Sequence, residues 1–134
     1  MKKYLLDTDI CIFLLKDKYN LVDYTESVGL ENCYISEITI AELKFGSENS
    51  SNPVKNRKIV NKFLEKFTIL PIYNSLDIYA KEKARLRKQG IPLDDFDLLI
   101  ASTAIANKLV LISNNTSDFN RVYRIKLDNW LNKQ

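Results

Sequence analysis

The sequence predicts a single α/β domain, a parallel β-sheet of four to five strands flanked by helices on both faces. Short apolar runs alternate with longer stretches whose apolar residues recur at helical spacing, which is the pattern of parallel strands joined by crossover helices. The chain of 134 residues has the length of one domain. Hydrophobic residues make up 46% of it and charged residues 28%, the balance of a folded globular protein. We therefore expect one domain over residues 1–134.

The first half of the chain begins with a buried strand that ends in a carboxylate. Tyr4, Leu5 and Leu6 form an apolar run that Asp7 closes, and apolar residues then recur at helical spacing. Further along, Ser36 stands before a helical pattern as a candidate N-cap. We predict a strand at 4–6, helices over 9–17 and 21–28, a strand at 33–35, a helix over 37–46, a polar loop over 47–53 and a helix over 54–67.

The second half repeats this alternation. Ser75 is a candidate N-cap, and Gly90 and Pro92 end the helix that it opens. Residues 94–106 are apolar almost all round, which predicts a buried helix. We predict a strand at 68–72, helices over 76–89 and 94–106, a strand at 109–112, a polar loop over 113–118, a short strand around Val122 and an end near Trp130.

The composition excludes several kinds of site. Histidine is absent, which removes imidazole bases, Ser-His-Asp and Cys-His catalysis and histidine zinc sites. Cys11 and Cys33 form no CxxC pair, so we expect two small buried hydrophobic residues. No apolar run approaches about 18 residues, the length of a membrane span, and the three apolar residues after Met-Lys-Lys are too few for a signal peptide. We expect a cytoplasmic protein without membrane contact, whose chemistry depends on carboxylates or lysine.

Acidic residues stand where a parallel sheet brings strand ends together. They are Asp7 after the first strand, Glu42 in the helix after the second, Asp97 in the first turn of the apolar helix, and the polar loop over 113–118. Each acid alone also fits a turn, a helix cap or a solvated helix face. Together they would repel one another unless a divalent cation neutralised them, and oxygen ligands suit Mg²⁺ or Mn²⁺. The pattern therefore indicates metal-assisted hydrolysis at phosphorus.

Four stretches resemble the PIN-domain family, and within it the VapC-type toxins of bacterial toxin–antitoxin pairs. They are Tyr-Leu-Leu-Asp-Thr-Asp-Ile-Cys at 4–11, Ile-Ala-Glu-Leu-Lys-Phe-Gly at 40–46, Phe-Asp-Leu-Leu-Ile-Ala-Ser-Thr-Ala at 96–104 and Leu-Val-Leu-Ile-Ser-Asn-Asn-Thr-Ser-Asp-Phe-Asn-Arg-Val at 109–122. The ending Asp128-Asn129-Trp130 is similar too, so the resemblance spans nearly the whole chain. It implies a Mg²⁺- or Mn²⁺-dependent endoribonuclease that cleaves structured RNA, tRNA or else rRNA, and so inhibits translation.

The resemblance also implies which residues form the core of the site. By position, Asp7, Glu42 and Asp97 would be the catalytic residues that bind the metal and orient the attacking water. Many family members place an aspartate where this chain has Asn115. We therefore expect either Asn115 or Asp118 to complete the ligand set, and one well-held cation when RNA is absent.

Four further residues have supporting positions in this resemblance. The hydroxyl of Thr8 would support Asp7. Asp9 stands where family members often have asparagine, so Asp9 would support the metal ligands and would not itself bind the metal. Asp94 lies one turn before the metal-binding acid of the apolar helix and would assist there. Ser113 opens the loop after the last long strand and belongs to the same supporting set.

The resemblance implies partners as well. A VapB-type antitoxin would lie across the site and place a basic side chain among the acids, and the chain would form homodimers and larger assemblies with the antitoxin. Lysines and arginines crowd two predicted helices, where they form either a solvated face or contacts to RNA phosphates. Lys44, Arg85 and Lys88 are the candidates for RNA contacts.

Two other functions fit parts of the sequence. Asp7 and Asp9 form a DxD motif after a strand, as in haloacid-dehalogenase-like phosphatases, where Asp7 would be the nucleophile and Asp9 the general acid. Cys11 stands where that family has threonine or valine, and the other acids would have no role. Alternatively, the neutral Asn115 fits a catalytically inactive module that only binds RNA or an antitoxin.

Overall fold

Twelve helices and strands alternate along the chain in the computed structural model, which describes residues 2–133. They are β1 (Tyr4–Leu6), α1 (Thr8–Leu15), α2 (Leu21–Val28), β2 (Cys33–Ser36), α3 (Glu37–Glu48), α4 (Pro53–Leu64), β3 (Thr68–Leu70), α5 (Leu76–Lys88), α6 (Asp95–Ala106), β4 (Val110–Ile112), α7 (Thr116–Phe119) and β5 (Leu127–Asp128). Short 3₁₀ turns lie at Leu30–Asn32, Tyr73–Ser75 and Trp130–Asn132. None of the helices within residues 2–133 is long and apolar enough to cross a membrane.

The five strands form one parallel sheet in the order β3-β2-β1-β4-β5. β1 lies at the centre, where Leu5 is in register with Tyr34 of β2 and with Leu111 of β4. Because all the strands run the same way, their carboxyl ends meet at one edge, where ligands bind in open α/β sheets. The prediction of a parallel α/β sheet is confirmed, with five strands.

Successive residues of β1 point to opposite faces of the sheet, and each face has its own apolar core. Leu6 belongs to the cluster beneath α1, α2 and α4, together with Ile35 and Ile112. Leu5 belongs to the cluster beneath α5 and α6, together with Leu111. Both cysteines are free and fully buried in the first cluster, which confirms their expected role as small hydrophobic residues. Helices therefore cover both faces, and the site lies at an edge.

The segment after β4 differs from the prediction. The strand predicted around Val122 is wrong, because the fifth strand is Leu127–Asp128, which pairs with β4. Val122 is apolar because it packs into the second core from a turn, where it is 3% exposed. The polar loop predicted over 113–118 is shorter than expected, since α7 begins at Thr116.

The loop predicted over 47–53 is also shorter, because helices extend into it from both sides. α3 continues to Glu48, and the buried hydroxyl of Ser47 donates to the carbonyl of Leu43 one turn back in the same helix. Pro53 opens α4, where its missing N–H costs no helical hydrogen bond.

Ser75 is at the predicted N-cap position of α5, but the capping hydrogen bond expected from its side chain does not form. Ser75 ends a 3₁₀ turn that leads directly into the helix, and its side chain accepts no capping hydrogen bond. Its hydroxyl lies instead 3.4 Å from the hydroxyl of Thr103 in α6. The serine therefore joins two helices inside the protein.

Candidate functional site

Asp7 lies at the carboxyl end of the central strand, directly before α1. Its backbone is extended, and its Oδ1 accepts from the backbone N–H of Thr8 at 2.8 Å, so it is the N-cap of the helix. Its Oδ2 accepts from the hydroxyl of Ser113, which follows the neighbouring strand β4, at 2.8 Å. The residue is only 5% exposed. Two donors from adjacent strand ends thus fix this carboxylate at the edge of the sheet.

Glu42 is held beside Asp7 by a pair of threonines. The hydroxyl of Thr8 donates to Glu42 Oε1 at 2.6 Å and lies 3.0 Å from the hydroxyl of Thr39. Because a hydroxyl has one hydrogen and Thr8 gives it to the carboxylate, Thr39 is the donor to Thr8. The prediction that the hydroxyl of Thr8 supports Asp7 is therefore wrong, since that hydroxyl serves Glu42 and only the backbone N–H of Thr8 serves Asp7.

Asp9 ties the loop after β4 to the first turn of α1. Its Oδ1 accepts from the backbone N–H of Ile10 at 2.7 Å, and its Oδ2 accepts from that of Asn114 at 3.0 Å. Burial raises the pKa of Asp9, although these two N–H groups act in the opposite direction. Both oxygens are engaged within the protein, which supports a structural role for this side chain.

Asp97 approaches the site from the first turn of α6, where it is half-buried. The exposed Asp94 is the N-cap of this helix, and its Oδ2 accepts from the backbone N–H of Phe96 at 3.1 Å. Burial, followed by the charges of Asp94, Glu42, Asp118 and Asp9 in that order of effect, raises the pKa of Asp97 to about 6. Acids from α1, α3, α6 and α7 thus lie within electrostatic range of one carboxylate.

The pKa of Asp7 is raised further than that of Asp97. Burial, followed by the charge of Asp9, raises its pKa from 3.8 to about 7, although the hydrogen bonds from Ser113 and Thr8 favour the ionised form. Without a cation, three side chains of the site, Asp7, Asp9 and Asp97, hold protons more tightly than ordinary aspartates do. Perturbed carboxylates gathered at a strand edge are typical of functional sites.

The loop after β4 completes the site through Asn115 and Asp118. The backbone N–H of Asn115 donates to the hydroxyl of Ser113 at 2.9 Å, and its side-chain NH₂ donates to Asp118 Oδ2 at 3.0 Å. Arg121 donates to the other oxygen of Asp118 at 3.2 Å. Sequence reasoning did not single out Arg121, although a cation three residues after an acid on a short helix is a recognisable pair.

The three basic candidates differ in their surroundings. Arg85 donates to both oxygens of the buried Glu82 at 2.8 Å and also to the backbone carbonyl of Arg121 at 2.8 Å. Its guanidinium is therefore part of the internal structure. Lys44 and Lys88 are exposed and form no ion pair with any residue in the part of the chain that the structure describes. Whether they contact RNA stays a prediction.

The chemistry of these side chains suits a divalent cation that prefers oxygen ligands. The donors are carboxylate and amide oxygens, and a positive charge would offset both the burial and the repulsion that raise the pKa values of Asp7 and Asp97. Across residues 2–133, no three acidic, imidazole or thiol side chains form a ready-made metal cluster.

Comparisons with known proteins agree in sequence and in fold. The family model described as PIN domain matches residues 4–125. The chain is 36% identical over 134 residues to Ribonuclease VapC2 of Haemophilus influenzae, covering 98% of this chain and 100% of that protein. It is 32% identical over 131 residues to the tRNA(fMet)-specific endonuclease VapC of Shigella flexneri, covering 97% and 99%. A chain of the DNA-bound VapBC structure from Salmonella typhimurium has a TM-score of 0.90 at 30% identity, covering 97% and 99%.

Proposed function

The chain belongs to the PIN-domain family, within its VapC branch, and on this premise we propose that it is a metal-dependent endoribonuclease. The observation that carries the proposal is the convergence of Asp7, Glu42 and Asp97 at the carboxyl edge of the sheet, with raised pKa values on both aspartates. The haloacid-dehalogenase-like alternative has no support from these matches. It would also need a proton donor at Asp9, whose two oxygens both accept backbone N–H groups.

In this proposal Asp7 and Asp97 would hold Mg²⁺ or Mn²⁺. When bound, the cation lowers the pKa of a water molecule and offsets the charge that develops on the phosphate. Thr8 occupies Oε1 of Glu42, so Oε2 is the oxygen left to accept a hydrogen bond from the attacking water. Ser113 fixes the plane of the Asp7 carboxylate. The residues of the chain would thus orient the attacking water for phosphodiester hydrolysis.

We propose structured RNA as the substrate, with tRNA the first candidate and rRNA the second. The relative from Shigella flexneri is named for its specificity toward tRNA(fMet). Cleavage of either RNA inhibits translation, and it places the protein in the cytoplasm, where both RNAs work. Exposed Lys44, on the helix that carries Glu42, would contact phosphates next to the cleaved bond.

A VapB-type antitoxin is the partner that we propose, since the similar solved structure from Salmonella typhimurium is a VapBC complex. Helices α1, α3 and α4 form an open groove of about 500 Å³, whose lining includes Ile12, Leu15 and Ile59. Glu42 also lines this groove, so a segment lying in it would reach the acidic site. The homodimer stays a prediction from the family resemblance, which light scattering on the purified chain would check.

The test is cleavage of total tRNA by antitoxin-free protein with Mg²⁺, with Mn²⁺ and with EDTA. Asp7→Asn removes the central carboxylate, and Asp23→Asn is its matched control, because Asp23 is an exposed acid in the first turn of α2. We expect discrete fragments that require the metal, disappear in Asp7→Asn and persist in Asp23→Asn.

Other outcomes would change the proposal in defined ways. If tRNA stays intact, rRNA is the next substrate. If both RNAs stay intact while Mn²⁺ binds the protein, the inactive binding module becomes the better description. Fragments that persist in Asp7→Asn or in EDTA would overturn the assignment of the site.

A further inference from the structure

The guanidinium of Arg121 joins two separate segments around the acidic site. One of its terminal nitrogens donates to the backbone carbonyls of Pro92 at 2.9 Å and Ile91 at 3.4 Å, in the connection that leads into α6. Its other terminal nitrogen donates to Asp118 Oδ1 at 3.2 Å, in α7. The guanidinium thus connects the segment before Asp97 to the loop that follows β4.

The contact between Asp118 and Asn115 fixes how the asparagine amide is turned. A carboxylate can only accept, so the NH₂ of Asn115 must face Asp118 Oδ2, which it contacts at 3.0 Å. The amide oxygen is then the atom of this side chain that Asp118 leaves unengaged. The backbone N–H of Asn115 donates to Ser113, whose hydroxyl donates to Asp7. Hydrogen bonds therefore run without interruption from Arg121 to the central carboxylate.

The backbone of Arg121 is held in place by a hydrogen bond from α5. Arg85 donates to its backbone carbonyl at 2.8 Å, and Arg85 is held by two hydrogen bonds to Glu82, a carboxylate that is only 7% exposed. The backbone N–H of Tyr123 donates to the same carboxylate at 2.9 Å. The turn that carries Arg121 is thus attached to α5, which keeps the guanidinium in place.

We propose that Arg121 is a positioning residue of the candidate metal centre, which acts by holding Asp118 and, through it, the amide of Asn115. The inference rests on the proposed function, because it assigns a role in the same site. A charge effect alone has the opposite sign: a cation near the acids opposes a divalent cation, so its removal would strengthen metal binding. A positioning role predicts weaker binding when Arg121 is lost, because orienting partners of ligands typically contribute about 10–100-fold in affinity.

The first experiment uses the protein without metal and asks whether Arg121 orients Asn115. NMR would follow the side-chain NH₂ resonances of Asn115, assigned by their loss in Asn115→Ala. We expect Arg121→Gln to move them toward the positions of solvent-exposed asparagines. Arg124→Gln is the matched control, because Arg124 is an exposed cation three residues on that lies over the Tyr123 ring. Unchanged resonances in a folded Arg121→Gln would overturn the proposal.

The second experiment measures Mn²⁺ affinity by calorimetry. We expect Arg121→Gln to weaken binding about tenfold or more, Arg121→Lys to recover part of the loss, and Arg124→Gln to leave it unchanged. In an Asp118→Ala background, Arg121→Gln should change affinity by less than about twofold, because its effect passes through Asp118. A general loosening of the structure would instead give additive effects, and tighter binding in Arg121→Gln would show a simple charge effect. Either result would overturn the proposal.

Failure of the proposed function gives a different result. If the wild-type protein binds no Mn²⁺ and cleaves no RNA, the metal site itself is wrong, and the NMR experiment still decides whether Arg121 orients Asn115. If the wild-type protein binds Mn²⁺ and cleaves RNA while both Arg121 variants equal the Arg124 control, only the role of Arg121 is wrong.

Discussion

At the scale of single residues, the surroundings of Asp7 have opposing effects on its pKa. Asp7 caps α1 and bonds to Ser113, which favours the ionised carboxylate, yet it is buried next to Asp9, which favours the protonated form. Burial and charge outweigh the hydrogen bonds, because the pKa rises to about 7. The folded protein therefore holds the proton of Asp7 more tightly than the unfolded chain does, and ionisation of this side chain lowers the stability of the folded state.

We predict that Asp7→Asn stabilises the metal-free protein in a pH-dependent way. An aspartate in the unfolded chain ionises near pH 3.8, whereas folded Asp7 ionises near pH 7, so the folded state loses stability as pH rises through this range. Above pH 7 the loss is on the order of a few kcal/mol, which asparagine avoids. Thermal unfolding in EDTA should show a higher midpoint for Asp7→Asn at pH 8 and a smaller difference at pH 5.

The control for this prediction is Asp23→Asn, which should leave the midpoint unchanged at both pH values, since Asp23 is exposed. A destabilised Asp7→Asn at pH 8 would mean that the hydrogen bonds of the carboxylate outweigh its burial. Addition of Mn²⁺ should raise the midpoint of the wild-type protein and not that of Asp7→Asn, because a ligand of the folded state stabilises it.

Thr8→Val should show what the hydroxyl of Thr8 contributes, apart from the packing of its side chain. Valine keeps the size but removes the donor to Glu42, so we expect kcat for RNA cleavage to fall roughly 10–100-fold. The free energy of unfolding should fall by about 1–2 kcal/mol, because the hydroxyl of Thr39 also loses its partner. Thr8→Ser, which keeps the hydroxyl, is the control. Equal kinetics for the valine and serine variants would show that Glu42 needs no such support.

At the scale of elements, two arginine–glutamate pairs of similar geometry differ in what surrounds them. Arg85 and Glu82 attach α5 to the turn at Tyr123, and Arg57 and Glu48 join α4 to the end of α3. Both pairs have two short hydrogen bonds between guanidinium and carboxylate. The side chain of Glu82 is 9% exposed, and that of Glu48 is 55% exposed. The comparison sets a buried carboxylate that also accepts a backbone N–H against an exposed carboxylate that does not.

Glu82→Gln should lower the free energy of unfolding by about 2–3 kcal/mol at pH 7, because it removes a buried carboxylate that serves three donors. Glu48→Gln should change it far less than Glu82→Gln does, because exposed ion pairs contribute little to stability. Urea unfolding of both variants measures the difference. The hydrogen bonds from Arg85 hold the pKa of Glu82 below 4.5. Its contribution should therefore persist above that value and disappear as pH falls through the lowered pKa. Equal losses for the two variants would contradict this assignment.

The sequence was informative where an element is long or continuously apolar. The apolar run before Asp7 predicted the central strand, and the apolar helix over 94–106 matches α6 closely. β5 has only two residues and α7 only four, too short for any period to show. A single apolar residue, Val122, therefore predicts a strand in the sequence, although in the structure it packs into the core from a turn.

The residues of the candidate site also divide into those that the sequence predicts and those that it does not. Asp7, Glu42 and Asp97 were predicted, because acids in apolar surroundings at strand ends are visible in a sequence. The roles of Thr39, Arg85 and Arg121 were not, because each depends on contacts with an element distant along the chain. The contact of Asp9 with Asn114 involves a backbone N–H, for which the sequence has no letter.

At the scale of the whole molecule, the central strand contributes one fully buried side chain to each of the two apolar cores. Leu5 packs on one face of β1 and Leu6 on the other. Trp130, the one tryptophan of the sequence, belongs to the cluster of Leu6. Its fluorescence therefore reports one face of the sheet, whereas circular dichroism reports the helices on both.

Leu5→Ala and Leu6→Ala should each lower the free energy of unfolding by about 3–5 kcal/mol, since both side chains are fully buried. Because β1 belongs to both cores, Trp130 fluorescence and circular dichroism should give coincident transitions in both variants, including Leu5→Ala, whose cavity lies on the opposite face. A Leu5→Ala protein whose fluorescence transition stays at the wild-type midpoint while the dichroism shifts would show that the two faces unfold separately.

The position of β1 in the sheet also bears on how the protein folds during its synthesis. Asp7 leaves the ribosome first, but its partner Ser113 is synthesised 106 residues later, and β4 and α6 come late as well. A nascent chain therefore exposes an unpaired Asp7 for most of its synthesis, with neither the seryl hydroxyl nor Asp97 beside it. Under the proposed function, the protein remains harmless to the ribosome that translates it until nearly all of the sheet has emerged. The order of the strands would then delay the activity until the last strands of the sheet have been synthesised.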